Sequence, residues 1–331
     1  MLQSKLAKLS KKPSLAITIG DPAGIGPEIV IKTLAKKEVY QICQPVVIGT
    51  KSVLDFYLKK YPPVVSNREF ELINIGKIRK LNFGMTNSEY GQLSYEYIKK
   101  AVELVQNGQV DGLVTAPISK EALNRAGLNY SGHTEILAEL TGKKNLLMLM
   151  VNKKLKVAMV TRHLPLKDVA NSLTKEKIIL AIKLGAKALE KYFSIAKLRI
   201  AVCALNPHRG EGGVLGKEEK EIIIPAIKQV TGYKLQVTGP LPADTVFQWW
   251  KKYDLIIVMY HDQAMIPLKL LDPYSLVNVT LGLPFIRTSP GHGTAFDIAG
   301  KNLADARPMF SAVKLAAEMC LREREKKKTK H

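Results

Sequence analysis

Acidic side chains are in short supply in this chain. Its 29 Asp and Glu stand against 50 Lys and Arg, a formal net charge of +21 at neutral pH. An excess of that size raises nucleic acid or an anionic substrate as partner. The excess is spread along the chain and is densest at Lys5 to Lys12 and Arg322 to Lys330, where frayed, solvated tails are expected. No RRM, zinc-finger or helix-turn-helix signature accompanies it, and only two Trp are present, so nucleic acid is set aside as partner. Cysteine is scarce too. Cys43, Cys203 and Cys320 lie far apart without CxxC spacing, which argues against a disulfide framework or zinc ribbon and for buried, reduced thiols. No apolar run approaches 18 residues, and the apolar segment after the basic N-terminus, Leu15 to Gly20, is too short for a signal peptide. A cytoplasmic protein with no membrane span is expected.

An apolar share of 46% is present, enough for a sizeable core, and 331 residues suggest about two domains. Short β-branched runs alternate with longer helical periods, the pattern of an α/β protein with a largely parallel sheet. Strands are expected at Leu15–Ile19, Pro45–Gly49, Glu71–Ile75, Asp111–Thr115, Leu198–Ala204, Leu235–Val237 and Leu255–Met259. Asn145–Val151 and Leu155–Val160, joined by Asn152-Lys153-Lys154, suggest an antiparallel hairpin. Helices are expected at Pro27–Lys36, Ser52–Lys60, Glu89–Gln106, Ser119–Arg125, His133–Leu140, Thr174–Lys191, Lys217–Val230, Ala243–Lys252 and Ala304–Arg322. If there are two domains they interleave: 14–130 with 275–322 as the first, 131–274 inserted as the second, and 1–13 and 323–331 as basic tails.

The chemistry gathers at strand ends. Gly20-Asp21-Pro22-Ala23-Gly24-Ile25-Gly26-Pro27 follows a strand and opens a helix. It is neither GxGxxG nor a P-loop, and it suits a tight structural turn as well as a ligand contact. Ser119 can cap the helix after Thr115-Ala116-Pro117. His133 and Thr134 open another helix, where free N–H groups favour an anion, with a surface position for His133 as the lesser alternative. His163, His208 and His261 each follow an apolar run, and three histidines so placed favour one metal site with an open position for substrate. From Tyr260 to Lys301 the chain adds Lys269, a point charge or proton donor, with Asn278 and Arg287, whose guanidinium suits phosphate or carboxylate. Asp244 either caps the helix that follows or faces the site.

Taken in order, ITIGDPAGIGPE, TAPISKEAL, GHTEILAELTG, TRHLPL, NPHRGEGG, GPLPADT, YHDQAMIPLK and GLPFIRTSPGHGTAFDIAGK resemble the 4-hydroxythreonine-4-phosphate dehydrogenase family of pyridoxal phosphate biosynthesis. The resemblance runs from Leu15 to about Arg322. It implies an isocitrate/isopropylmalate dehydrogenase-like fold: two interleaved α/β/α domains with the active site in the cleft between them. It also implies that His163, His208 and His261 hold one divalent cation (zinc, magnesium or cobalt) in a site shared by two subunits of a homodimer. His133, Thr134, Lys269, Asn278 and Arg287 would contact a small phosphorylated substrate. The loop Gly291, His292, Gly293, Thr294 to Asp297 would hold the adenosine end of NAD or NADP. The implied reaction oxidises C3 of 4-phosphooxy-L-threonine and then releases CO₂, giving 3-amino-2-oxopropyl phosphate. Lys269 is the candidate for proton transfer and Asp244 a second catalytic candidate.

Three positions depart from the family pattern: Arg209 for a common Ala, Ala264 for a common Gly, and Gly291 for a common Asp. None removes an implied ligand, and Arg209 sits where it can alter substrate choice. A paralogous dehydrogenase of 4-phospho-D-threonate or 4-phospho-D-erythronate would share the same metal and cofactor. A phosphate acyltransferase on a related fold would need no histidine metal site.

Overall fold

The computed structural model describes residues 12–59, 70–232 and 235–328. All of the basic segment Lys5 to Lys12 except Lys12 therefore lies outside the described residues. The chain begins with β1 (Ser14–Thr18), α1 (Gly26–Leu34), α2 (Lys37–Ile42), β2 (Gln44–Gly49), α3 (Lys51–Leu58) and β3 (Glu71–Asn74). Then come α4 (Ser88–Gln106), β4 (Gly112–Thr115), α5 (Lys120–Arg125) and α6 (His133–Thr141). β5 (Leu147–Val151), β6 (Lys156–Met159), α7 (Leu166–Ser172), α8 (Lys175–Phe193) and β7 (Leu198–Cys203) follow. The turns Pro207–Gly213 and Glu219–Ile223 lead to α9 (Ile224–Val230), β8 (Leu235–Leu241), the 3₁₀ segment Val246–Lys252 and β9 (Leu255–Val258). The last elements are α10 (His261–Leu271), β10 (Val277–Leu281), β11 (Ile286–Pro290) and α11 (Arg307–Lys328).

The eleven strands form one sheet in the order β3-β2-β1-β4-β11-β10-β5-β6-β9-β7-β8. Strands β5 and β9 are buried along their whole length, which is why they are apolar throughout rather than alternating. Side-chain caps start three helices: Asn87 accepts from Glu89 N–H, Ser119 from Ala122 N–H and Thr174 from Lys177 N–H. The expected hairpin is present, with Met148 opposite Met159 and Val151 opposite Lys156. Its turn is held by Asn152, whose Oδ1 accepts from the N–H groups of Lys154 and Leu155.

Strands from the first third of the chain, together with β10 and β11, occupy one half of the sheet, and β5 to β9 the other. The seam between them is the antiparallel pair β10 and β5, with Asn278 opposite Met150. Three antiparallel steps in a row, β11 to β10 to β5 to β6, reverse the strand direction between the two halves. The carboxyl ends of β6, β9 and β7 therefore point to the edge opposite that of β1, β4 and β11. A site using both sets has to lie across the face of the central strands.

Several elements differ from expectation. The Lys217–Val230 helix starts as a π turn, and the Ala243–Lys252 helix is a 3₁₀ segment from Val246. β8 continues to Leu241, and α7 had no expectation at all. The largest correction is the C-terminal basic run, which is not a frayed tail where it is described. α11 continues through Lys328, with Arg322 donating to the Tyr192 carbonyl at 2.6 Å and Arg324 to the Asp111 carboxylate at 2.6 Å. Those acceptors are distant in sequence, so the charge run alone gave no sign of them. Among the described residues no helix is long and apolar enough to cross a membrane.

Candidate active site

A cleft of about 370 Å³ lies across the central strands. Its floor is one face of the sheet: Thr115 from β4, Ser289 and Arg287 from β11, Asn278 from β10, and Met148 and Met150 from β5. Strand alternation puts Asn278, like Met148 and Met150, on this side. Arg287 is 1% exposed, and no carboxylate pairs with it among the described residues. Its Nη1 donates to Thr280 Oγ1 at 2.9 Å and its Nη2 to Thr115 Oγ1 at 2.6 Å, while Nε has no partner. Burial pushes the guanidinium down to about 9, which still leaves it charged at neutral pH. A buried cation held by two neutral hydroxyls is electrostatically uncompensated until an anion arrives.

The N-terminus of α6 faces the same space. Gly132, His133, Thr134 and Glu135 all line the cleft, so the unpaired N–H groups of the first turn are directed at it. Burial and the nearby Arg287 charge hold His133 well below 6.5, so its ring is neutral, and its Nε2 has no hydrogen-bond partner. An Arg, a helix N-terminus, Asn278 and Lys269 around one pocket make an oxyanion-binding end.

His261, Met265 and Lys269 are spaced four residues apart on α10, and all three project into the cleft. The His261 ring lies 5.6 Å from that of His163, centroid to centroid. Burial, with the charges of Lys120, His261 and Arg162, lowers His163 below 6.5 and keeps it in the neutral form that binds metal. His261 Nδ1 meets Asp262 Oδ1 at 2.7 Å, which orients the ring and leaves its other nitrogen free. These two imidazoles fit a divalent cation as part of its shell. Among the described residues no three His, Cys, Asp or Glu side chains gather as a metal site. His208 is absent from the cleft lining. It sits exposed on Pro207–Gly213, where five successive residues, His208 to Gly212, take left-handed φ between 44° and 74°. That loop is braced from behind by buried Glu219, whose Oε1 accepts from Leu205 and Asn206 N–H.

Gly291, His292 and Gly293 also line the cleft, whereas Thr294 and Asp297 lie outside the lining. Thr294 instead ties the loop to the turn after β1, its carbonyl accepting from Ile25 N–H at 2.9 Å. That turn allows no bulk at Gly20, where φ is +72° and a Cβ would come within 2.2 Å of the Pro117 carbonyl oxygen. Asp21, fully buried beside it, accepts from Ala23 N–H through Oδ1, while Oδ2 has no partner. Burial raises the Asp21 carboxyl to about 6. A carboxyl raised on folding adds stability that is present below the unfolded value, 3.8, and lost as pH rises through 6. Asp21→Asn keeps the acceptor and removes the charge. Its unfolding midpoint should match the wild type at pH 4 and exceed it at pH 8, by up to roughly 3 kcal/mol of stability. A difference that does not change with pH would refute this origin.

The structure thus brings His133, Thr134, His163, His261, Lys269, Asn278, Arg287, Gly291, His292 and Gly293 to one cleft. It leaves out His208, Thr294, Asp297 and Asp244; Asp244 is exposed, and the 3₁₀ segment after it has no side-chain cap. Three charged lining residues had no expectation attached: Lys120, Glu135 and Arg162. Their only sequence signal is adjacency to strand ends and to His133 and His163.

The fold and this cleft define an α/β protein with an anion-binding cleft and a histidine pair. Residues 41–316 match the family "Pyridoxal phosphate biosynthetic protein PdxA", and the chain belongs to that family. A 4-hydroxythreonine-4-phosphate dehydrogenase from a Sulfurihydrogenibium species is 44% identical, over 91% of this chain and 97% of that protein. A protein from Oceanobacillus iheyensis, provisionally named D-threonate 4-phosphate dehydrogenase, is 42% identical over 94% and 99%. The crystal structure of 4-hydroxythreonine-4-phosphate dehydrogenase from Klebsiella pneumoniae is similar with a TM-score of 0.82 and 38% identity, over 93% of this chain and 98% of that one.

Proposed function

We propose that this enzyme oxidises the C3 hydroxyl of 4-phosphooxy-L-threonine with NAD or NADP. The product then loses its carboxylate as CO₂ to give 3-amino-2-oxopropyl phosphate, in the synthesis of pyridoxal phosphate. The observation that carries this is Arg287, buried and unmatched by any carboxylate among the described residues, at the oxyanion end of a cleft that also holds the His163–His261 pair. The phosphate would sit among Arg287, Asn278, Lys269 and the α6 N-terminus with His133 and Thr134, where N–H groups and fixed charges hold it without rearrangement. Gly291 to Gly293 would receive the adenosine end of NAD or NADP, with Thr294 and Asp297 supporting the loop.

His163 and His261 would hold the divalent cation, zinc, magnesium or cobalt, with His208 supplied by a second copy of the chain. When bound, that ion supplies Lewis-acid stabilisation of negative charge on the C3 oxygen. The cofactor accepts the hydride. Lys269 remains the proton-transfer candidate for the carbon left behind by CO₂, since its side chain lines the cleft beside His261. The shared site is supported by exposed apolar residues flanking each histidine: Leu164 and Leu166 after His163, Val214 and Leu215 after His208, and Ile266 and Leu270 on α10. Such patches are buried when identical subunits pair. The division of strands at the β10–β5 seam supports a first domain of 14–130 with 275–322 and a second of 131–274.

The Oceanobacillus relative, almost as similar as the Sulfurihydrogenibium one, favours 4-phospho-D-threonate as the second reading. Nicotinamide reduction by the metal-loaded enzyme should be measured with both compounds. Turnover of the amino substrate alone supports the first reading, and preference for the C2-hydroxy acid replaces it with the second. No turnover of either, metal present, removes both.

A further inference from the structure

Both proposed substrates carry a second anion, the C1 carboxylate, and the cleft is lined by two further cations beside those assigned to the phosphate. Lys120, at the start of α5, and Arg162, next to His163, line the cleft and lie close enough to lower His163 by their charge. Arg162 is oddly unsatisfied. Its Nη1 is buried without a hydrogen-bond partner, and its Nη2 lies 3.8 Å from Glu135 Oε1, beyond hydrogen-bond length. A guanidinium presents a planar fork that two carboxylate oxygens satisfy together. Buried donors without acceptors mark places where a ligand atom is expected.

Resting on the functional reading above, we infer that Arg162, assisted by Lys120, forms the subsite for the substrate's C1 carboxylate. Within the one cleft the phosphate is then held by Arg287 and the carboxylate by Arg162, with the C2–C3 segment at the histidine pair. Glu135 is the carboxylate's rival. It already sits 3.8 Å from Arg162, so when C1 leaves as neutral CO₂ the guanidinium has another partner to move to. This relieves a difficulty of the chemistry, since a carboxylate bound too firmly resists decarboxylation.

The test compares two ligands on the metal-loaded enzyme by titration calorimetry: 4-phosphooxy-L-threonine, and 3-amino-2-hydroxypropyl phosphate, the same molecule with hydrogen in place of the carboxylate. Wild type should bind the first about ten- to a hundredfold more tightly. In Arg162→Met that preference should vanish through loss of affinity for the first ligand only, with the second unchanged to within about twofold. Arg162→Lys should recover part of it, as a point charge without the fork. Glu135→Gln, which removes the rival, should tighten the first ligand several-fold. Equal weakening of both ligands in Arg162→Met, or no weakening, overturns the subsite. Failure of the wild type to bind either compound overturns the functional reading instead, a result seen before any variant is made.

Discussion

Arg287→Met should lose about a thousandfold in kcat/KM for the phosphorylated substrate while its unfolding midpoint stays level or rises. The loss follows from geometry. Arg287 is the largest fully buried side chain and the fixed positive charge on the cleft floor. A charge-assisted contact to phosphate in a site shielded from water is far stronger than the same contact at the surface. The stability half of the prediction has the opposite sign because the free enzyme holds this cation without a carboxylate. Folding must strip its water for two hydroxyl contacts, to Thr280 and Thr115. Methionine fills similar space with no charge to desolvate. Against that gain stand the two hydroxyls, each losing a hydrogen bond worth about 1 kcal/mol.

The pH dependence checks the account. The folded-state value is pushed down to about 9 from 12.5. The desolvation penalty is therefore complete below pH 9 and fades only above it, so the stability advantage of Met should persist throughout the neutral range. A variant that loses activity together with ten degrees of melting temperature would show Arg287 to be structural.

Much of the fold was legible in the sequence, because buried strands such as Leu255–Val258 have to be apolar on both faces and a cap such as Ser119 acts locally. The sheet order was not. It depends on β10 and β11 returning from the end of the chain to pair beside β4 and β5, a long-range event with no local signature. That pairing also changes the logic of the site. Histidines after β6, β7 and β9 share one sheet edge, as their positions after apolar runs suggested, but Arg287 and Asn278 lie on the sheet face, a placement that their chemistry alone did not reveal. His208 shows the limit most clearly. It follows a strand parallel to the other two, yet five left-handed residues carry it away from the lining. Arg162 and Glu135 were invisible because their meeting requires the β6 loop to fold over the start of α6, although the resemblance had already marked the neighbour of each.

His163→Ala and His208→Ala should each reduce turnover by about a thousandfold or more, since removing one ligand from a catalytic metal shell forfeits both charge stabilisation and orientation. Mixed after unfolding and refolding together, the two inactive proteins should regain about a quarter of wild-type activity. The fraction follows from a site built across a twofold axis. Random pairing at equal amounts makes half of the dimers mixed. In each mixed dimer one site takes His163 from the His208→Ala chain and His208 from the His163→Ala chain, and is complete. The other site carries both losses. Metal content measured on the same mixture should recover in the same proportion, separating restored ligation from a general effect of refolding. The pair His163→Ala and His261→Ala supplies the control. Those two imidazoles come from one chain, with rings 5.6 Å apart, so no mixed dimer contains an intact pair and activity should stay lost. Recovery in that control, or none in the first mixture, would place the third ligand elsewhere. It would also leave the exposed loop at His208, with its three left-handed non-glycine residues and its apolar neighbours Val214 and Leu215, without a catalytic reason. Left-handed non-glycine residues such as His208, Arg209 and Glu211 are kept where something beyond the loop needs them. In the proposed dimer, a second subunit's cleft is the partner that this loop, braced by Glu219, would serve.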